Sequence, residues 1–284
     1  MATSASLPNP GLKAFLKSLS HQTTEDEVFA GAATLAYYWL LALFPAMIFL
    51  LSLLPYLPIE NLHGEIMKFV GQMLPQETAE LLSGVIAEVT LRERKGLISF
   101  GALATLWAAS NGMYAIMRQL NKTYGVRESR TFLKARLTAL LMTLVSGVGM
   151  LSAFSLIVFG DSLQAFLVSR VGFESAWILV FQIFRWVILL GLLLIGFSLM
   201  YYLGPNTKTR FRLFAPGNIM AVGLLILASV GFQIYVKNFG NYAATYGSLG
   251  AVIVLMLWLY LAGFVILLGS EINHLWYERD LEQI

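Results

Sequence analysis

Apolar positions fall in six runs along the chain, each long enough for a membrane helix, which takes about 20 mostly apolar residues. The runs cover residues 28–57, 97–117, 137–159, 177–203, 214–236 and 246–270. Between them the pattern turns polar and short. The first run is read as a span and not as a cleavable signal peptide. It is too long, it follows the acidic Glu25-Asp26-Glu27, and no small-residue cleavage site ends it. Residues 11–20 read either as a small amphipathic helix on the membrane, with Lys13 and Lys17 towards headgroups, or as a frayed tail. Only one connection is long, 58–96. Within it 62–74 and 77–91 read as amphipathic helices, since Ala79, Leu82, Val85, Ile86 and Val89 recur near a 3.6 spacing. They are a lid over an outward cavity or a pair of helices resting on the bilayer.

The pattern predicts an all-α fold: a polytopic membrane bundle of six transmembrane helices with short amphipathic interfacial helices. No linker or composition shift divides it, so a single membrane domain, 1–284, is expected. Composition agrees. Hydrophobic residues make up 58% and charged ones 12% of the 284 residues, against roughly 25% charged in soluble domains. Orientation follows from Lys and Arg. With both termini cytoplasmic, inside segments hold twelve of the nineteen basic residues and outside segments six, with Arg185 in a span.

Several chemistries are excluded by residue type. No cysteine is present, and the three histidines, His21, His63 and His274, are scattered, so no metal site and no cofactor is expected. There is no P-loop for an ATP motor and no nucleophile elbow; Gly247-Ser248-Leu249-Gly250 has the wrong spacing. A net charge of +3 does not argue for nucleic acid. The expected partners are membrane lipids. Small-xxx-small pairs at Ala32/Ala36, Gly149/Ala153 and Gly247/Ala251 serve close packing, within one chain or in a homo-oligomer.

The polar residues placed in or at the ends of spans are the candidates for a substrate pathway. Tyr37 and Tyr38 sit mid-run, where their hydroxyls need partners, and Pro45 should kink the same helix and free a carbonyl. Asn111 lies deep in the second run, as interhelical glue or as part of a polar path. Arg185 is either buried within the fourth run or at its outer interface, snorkelling to phosphates. Glu271, with Asn273 and His274 beside it, ends the sixth run near Arg118 and Asn121, the inside end of the second. The basic loop 118–136 is a topology anchor or a lipid site, with Lys122, Arg127, Arg130, Lys134 and Arg136 as candidates for lipid headgroups.

The residues resemble the YihY / virulence factor BrkB family of bacterial inner-membrane proteins, once labelled ribonuclease BN. The resemblance is carried by Ala32-Ala33-Thr34-Leu35-Ala36-Tyr37-Tyr38 and Leu43-Phe44-Pro45, then by Leu106-Trp107-Ala108-Ala109-Ser110 and Leu120-Asn121-Lys122-Thr123-Tyr124-Gly125-Val126. It continues through Pro205-Asn206, Pro216-Gly217, Tyr246-Gly247-Ser248-Leu249-Gly250-Ala251, Trp258 and Leu268-Gly269-Ser270-Glu271-Ile272-Asn273. Ser270 stands where the family pattern has alanine. Tyr246 and Gly247 join the pathway candidates on this motif. The resemblance implies six membrane helices, a bacterial cytoplasmic (inner) membrane and no settled activity. Envelope or serum resistance and transport of lipid-related cargo have been linked to members. The ribonuclease label fits poorly, because no clustered histidine–aspartate set exists here. The expectation is a permease or flippase-like transporter of lipid-related, ionic or small-solute cargo and not an enzyme. A non-transporting envelope scaffold is the alternative.

Overall fold

The computed structural model describes residues 12–53, 95–171, 175–207, 210–239 and 248–282. The described residues form helices α1 Leu12–Glu25, α2 Val28–Leu53, α3 Lys95–Thr123, α4 Phe132–Val171, α5 Ser175–Leu203, α6 Pro216–Phe239 and α7 Ser248–Glu282, and no strand. The fold is the all-α membrane bundle read from the sequence. The expected amphipathic elements at 62–74 and 77–91, and Tyr246 and Gly247, lie outside the described residues.

Among the described residues five stretches are long and apolar enough to cross a membrane: Val28–Phe49, Phe132–Ile157, Leu179–Leu203, Pro216–Lys237 and Val252–Tyr277. Their apolar side chains are largely exposed, as on Leu137, Leu141, Leu144, Val148 and Leu151 of α4. A helix that is apolar all round with so little protein cover is a helix solvated by lipid. The sixth expected run, 97–117, falls inside α3. That helix has 29 residues, about 44 Å at 1.5 Å per residue, so length suffices. Asn111, Arg118, Gln119, Asn121 and Lys122 make it more polar than the five.

The contacts group the chain into two compact units, residues 1–37 with 113–284, and residues 38–112. In the larger unit α7 packs on α6 and touches α1, while α5 packs on both α4 and α6. The best-buried apolar side chains are Val28, Ala32 and Leu35 of α2, Ile116, Met117 and Leu120 of α3, and Leu267 of α7. This core therefore gathers at the end of the bundle where α2 begins and α3 and α7 finish. Gly263 lets the start of α2 approach α7 closely, since a Cβ there would stand 3.2 Å from the Ala32 carbonyl oxygen. One turn away Phe29 stacks on Phe264 at 5.2 Å.

Two chain reversals bring polar groups to this core. Between α1 and α2 the backbone turns through Glu27, at φ 50°. The Glu27 N–H donates to Thr24, and its carbonyl accepts the N–H of Gly31. At the end of α3, Gly125 takes φ 59°. The Gly125 N–H donates to the Lys122 carbonyl and that of Val126 to the Asn121 carbonyl, both at 2.9 Å. This is the paired closure of a helix on a left-handed residue, for which glycine carries no Cβ penalty.

In the smaller unit α2 and α3 cross closely. A Cβ on Gly101 would lie 3.1 Å from the Phe49 backbone, and one on Gly112 would lie 2.9 Å from the Trp39 ring. Pro45 sits inside α2, which remains helical on both sides of it.

Candidate functional site

The side chain of Glu271 is fully buried, at 0% exposure. Among the described residues, none donates a hydrogen bond to either of its carboxylate oxygens. Its neighbour in α3, Thr123, is close enough to interact, but the Thr123 hydroxyl donates to the Gln119 carbonyl at 3.2 Å. Also within hydrogen-bonding reach of Glu271 is another carboxyl, Asp26 in the α1–α2 turn. Two carboxyl groups therefore face each other where a lone buried carboxylate is already costly.

Charged groups ring this pair. Burial raises the Asp26 pKa above its ordinary value; the hydrogen bond with Glu271 and the charge of Lys122 work against that rise. Glu25 and His274 act on Asp26 more weakly and in opposite senses. Lys122 Nζ lies 2.6 Å from Glu27 Oε2, and this bond holds the Glu27 carboxyl below its ordinary range. The ion pair thus ties the strained turn to the end of α3. Tyr124, packed on His274 with ring centroids 5.3 Å apart, is pushed well above the ordinary tyrosine value, first by burial and then by Tyr277 and Glu271. It stays a neutral hydroxyl.

A polar lattice extends from the same helix end. Asn121 is buried; its Nδ2 donates to Glu128 at 2.9 Å, and its Oδ1 accepts the Asn206 N–H at 2.6 Å. Asn206 Nδ2 donates to the Arg127 carbonyl at 3.1 Å and the Ser129 hydroxyl at 2.6 Å. Arg130 donates to the carbonyls of Leu203, Gly204 and Pro205 at 3.2, 3.2 and 2.7 Å. It satisfies carbonyls left open at the C-terminus of α5, where a cation is favoured by the helix dipole.

A second lattice joins α5, α6 and α7. Asn273 Nδ2 donates to Asn218 Oδ1 at 2.8 Å, while its Oδ1 accepts the Gly217 N–H at 2.8 Å. Asn218 Nδ2 donates to Ser198 Oγ at 2.7 Å and to the carbonyls of Arg212 and Leu213. Tyr201 donates its hydroxyl to the Ile266 carbonyl at 2.7 Å. The lattice needs glycines: a Cβ on Gly217 would run into the Gly269 carbonyl oxygen, and one on Gly269 into the Tyr201 hydroxyl.

The structure therefore gathers three sequence candidates, Asn121, Glu271 and Asn273, at one end of the larger unit. Arg118 is exposed on α3, and Tyr37 is 54% exposed. Tyr38, Pro45 and Asn111 are half-buried in the smaller unit. Arg185 is half-buried and donates to the Ile157 carbonyl of α4 at 2.7 Å, its guanidinium filling the space over Gly160. Of the headgroup candidates, Lys122 and Arg130 have protein partners as above, Arg127 and Lys134 are exposed, and Arg136 is half-buried. Sequence reasoning missed Asp26, Asn206 and Asn218 as parts of the site. Asp26 enters it only as a charge before a span and Asn206 only within the Pro205-Asn206 family motif, while Asn218 carries no signal beyond being an amide near Pro216.

The residues that build this end of the bundle lie within a wider match. The family model described as virulence factor BrkB matches residues 19–283. A Bacillus subtilis protein named as ribonuclease-like, YfkH, is 40% identical over 265 residues, covering 93% of this chain and 96% of its own length. A Vibrio parahaemolyticus UPF0761 membrane protein is 29% identical over 272 residues, covering 93% and 82%. A UPF0761 membrane protein of Pseudoalteromonas atlantica is 24% identical over 275 residues, covering 93% and 86%. No solved structure matches. Bundle and match together make this chain a multi-pass inner-membrane protein that belongs to the virulence factor BrkB family.

Proposed function

We propose that the protein is a permease or flippase-like transporter, without an ATPase of its own, for lipid-related, ionic or small-solute cargo. One observation carries this reading: the fully buried, donor-less Glu271 facing Asp26. Ionisable groups inside membrane bundles are costly, and they mark ion and substrate paths. A protein that only organised lipids would need no such pair, and an amide at Glu271 would serve packing better. The lattice of Asn121, Asn206, Asn218 and Asn273 supports the same reading, because it fixes the helix ends around the pair.

The test is reconstitution in sealed liposomes, following fluorescent phospholipid scrambling and Na⁺, K⁺ and H⁺ flux in the same preparations. Flux or scrambling by the wild type, abolished by Glu271→Gln with insertion intact, is the expected result. Full activity in Glu271→Gln would remove the carboxyl from the mechanism.

One observation favours the scaffold reading. Arg127 and Lys134 are exposed, and Phe132 and Leu133 between them are 78% and 67% exposed. Basic and apolar side chains so placed suit a headgroup interface. Loss of function on Arg127→Gln with Lys134→Gln, with Glu271→Gln tolerated, would favour the scaffold. The ribonuclease-like name belongs to the relative. Among the described residues no group of three or more His, Cys, Asp or Glu comes together as a metal-dependent nuclease requires.

A further inference from the structure

We propose that Asp26 and Glu271 form a proton-binding site, in which one exchangeable proton is held between the two carboxyl groups and lost through Asp26 to water. The proton's role as coupling ion rests on the transport reading above; its binding does not.

The geometry supplies the reasons. Glu271 is at 0% exposure, with both oxygens lacking a donor among the described residues. Two carboxylates this close resist ionising together. A single proton turns their repulsion into a hydrogen bond and gives Glu271 the donor that the protein withholds. Asp26 is half-exposed, so the pair has one buried member and one that reaches water. Deprotonation releases H⁺ to solvent and leaves two carboxylates with no bond between them.

A metal cation suits the site less well. Hard cations want a shell of six or more oxygens, whereas among the described residues the side chains within hydrogen-bonding range of Glu271 are only those of Asp26 and Thr123. The groups facing the pair are Glu25 and Glu27 from the α1 side, Lys122 and Tyr124 from the end of α3, and His274 on α7, with Tyr277 beside Tyr124. Lys122 is held by Glu27 at 2.6 Å, which leaves the proton as the charge that balances the pair.

Infrared difference spectroscopy on the full chain in lipid nanodiscs tests this directly. The wild type should show a carboxylic acid carbonyl band at neutral pH that disappears on alkaline titration. Glu271→Gln and Asp26→Asn should each remove that titrating band, and Glu25→Gln should leave it. A spectrum without the band, or a band that survives both substitutions, overturns the site. A band that Na⁺ abolishes at constant pH overturns the choice of proton. Proton flux in liposomes under an imposed pH gradient is the second arm. Flux lost in both variants supports coupling. The band without any flux keeps the site and removes the transport reading.

Discussion

The Asn121 side-chain oxygen lies 2.6 Å from the backbone nitrogen of Asn206, joining the end of α3 to the loop after α5 across 85 residues of sequence. The same side chain also donates to Glu128. Asn121→Ala leaves the Asn206 N–H and a Glu128 oxygen without their partner, at a cost of about 1–3 kcal/mol for a buried unsatisfied group. Thermal unfolding in nanodiscs should shift down by several degrees. Asn121→Asp keeps the acceptor for Asn206 but sets two carboxylates together at Glu128, so it should also destabilise, and less at low pH.

Arg130 reaches three carbonyls with one planar guanidinium. Lysine has one nitrogen and no fork. Arg130→Lys should therefore recover only part of what Arg130→Gln loses. Limited proteolysis of the 204–215 loop reads the difference, and equal cleavage of wild type and Arg130→Lys would show that charge alone suffices.

Gly217 and Gly223 lie on the same helix and should respond with opposite sign. A Cβ on Gly217 meets the Gly269 carbonyl oxygen and stands 2.6 Å from the Asn273 amide, whereas at Gly223 nothing among the described residues lies within 4 Å. Gly217→Ala must push α6 off α7 and should cost about 1–3 kcal/mol or more. Gly223→Ala only removes a glycine from a helix interior and should be neutral or stabilising by up to about 1 kcal/mol. Parallel melting curves decide it.

The helices were legible because lipid-facing helices are apolar on every side. Residues 137–159, 177–203 and 214–236 each fall almost wholly inside an observed helix. Run length does not say where a helix continues beyond the bilayer. α4 begins at Phe132 and ends at Val171, well outside the apolar run. The site was half legible. Asn121, Glu271 and Asn273 stood out as polar residues at span ends. Asp26 did not, because its meeting with Glu271 depends on a turn through Glu27 at positive φ and on how α1 lies against α7. Neither has a periodic signature. The glycine approach of Gly217 to Gly269 is likewise a property of two helices together.

The Asp26 and Glu27 carboxyls, adjacent in sequence, should give stability opposite dependences on pH. Burial raises Asp26, so the folded protein binds this proton more tightly than the unfolded chain. Its contribution is fully present below the ordinary aspartate value and is lost as pH rises through the folded value. Lys122 lowers Glu27, so that contribution is present above the ordinary glutamate value and is lost as pH falls through the folded value. A pH series of melting temperatures should therefore show a falling limb that Asp26→Asn flattens and an acid limb that Glu27→Gln flattens. Salt separates the two as well. The Lys122–Glu27 pair is exposed, with 38% and 69% of its side chains open, so moderate salt should screen the acid limb. The Asp26 limb arises from burial beside Glu271 and should persist. A series in which Asp26→Asn steepens the loss of stability with rising pH would contradict a protonated Asp26–Glu271 pair.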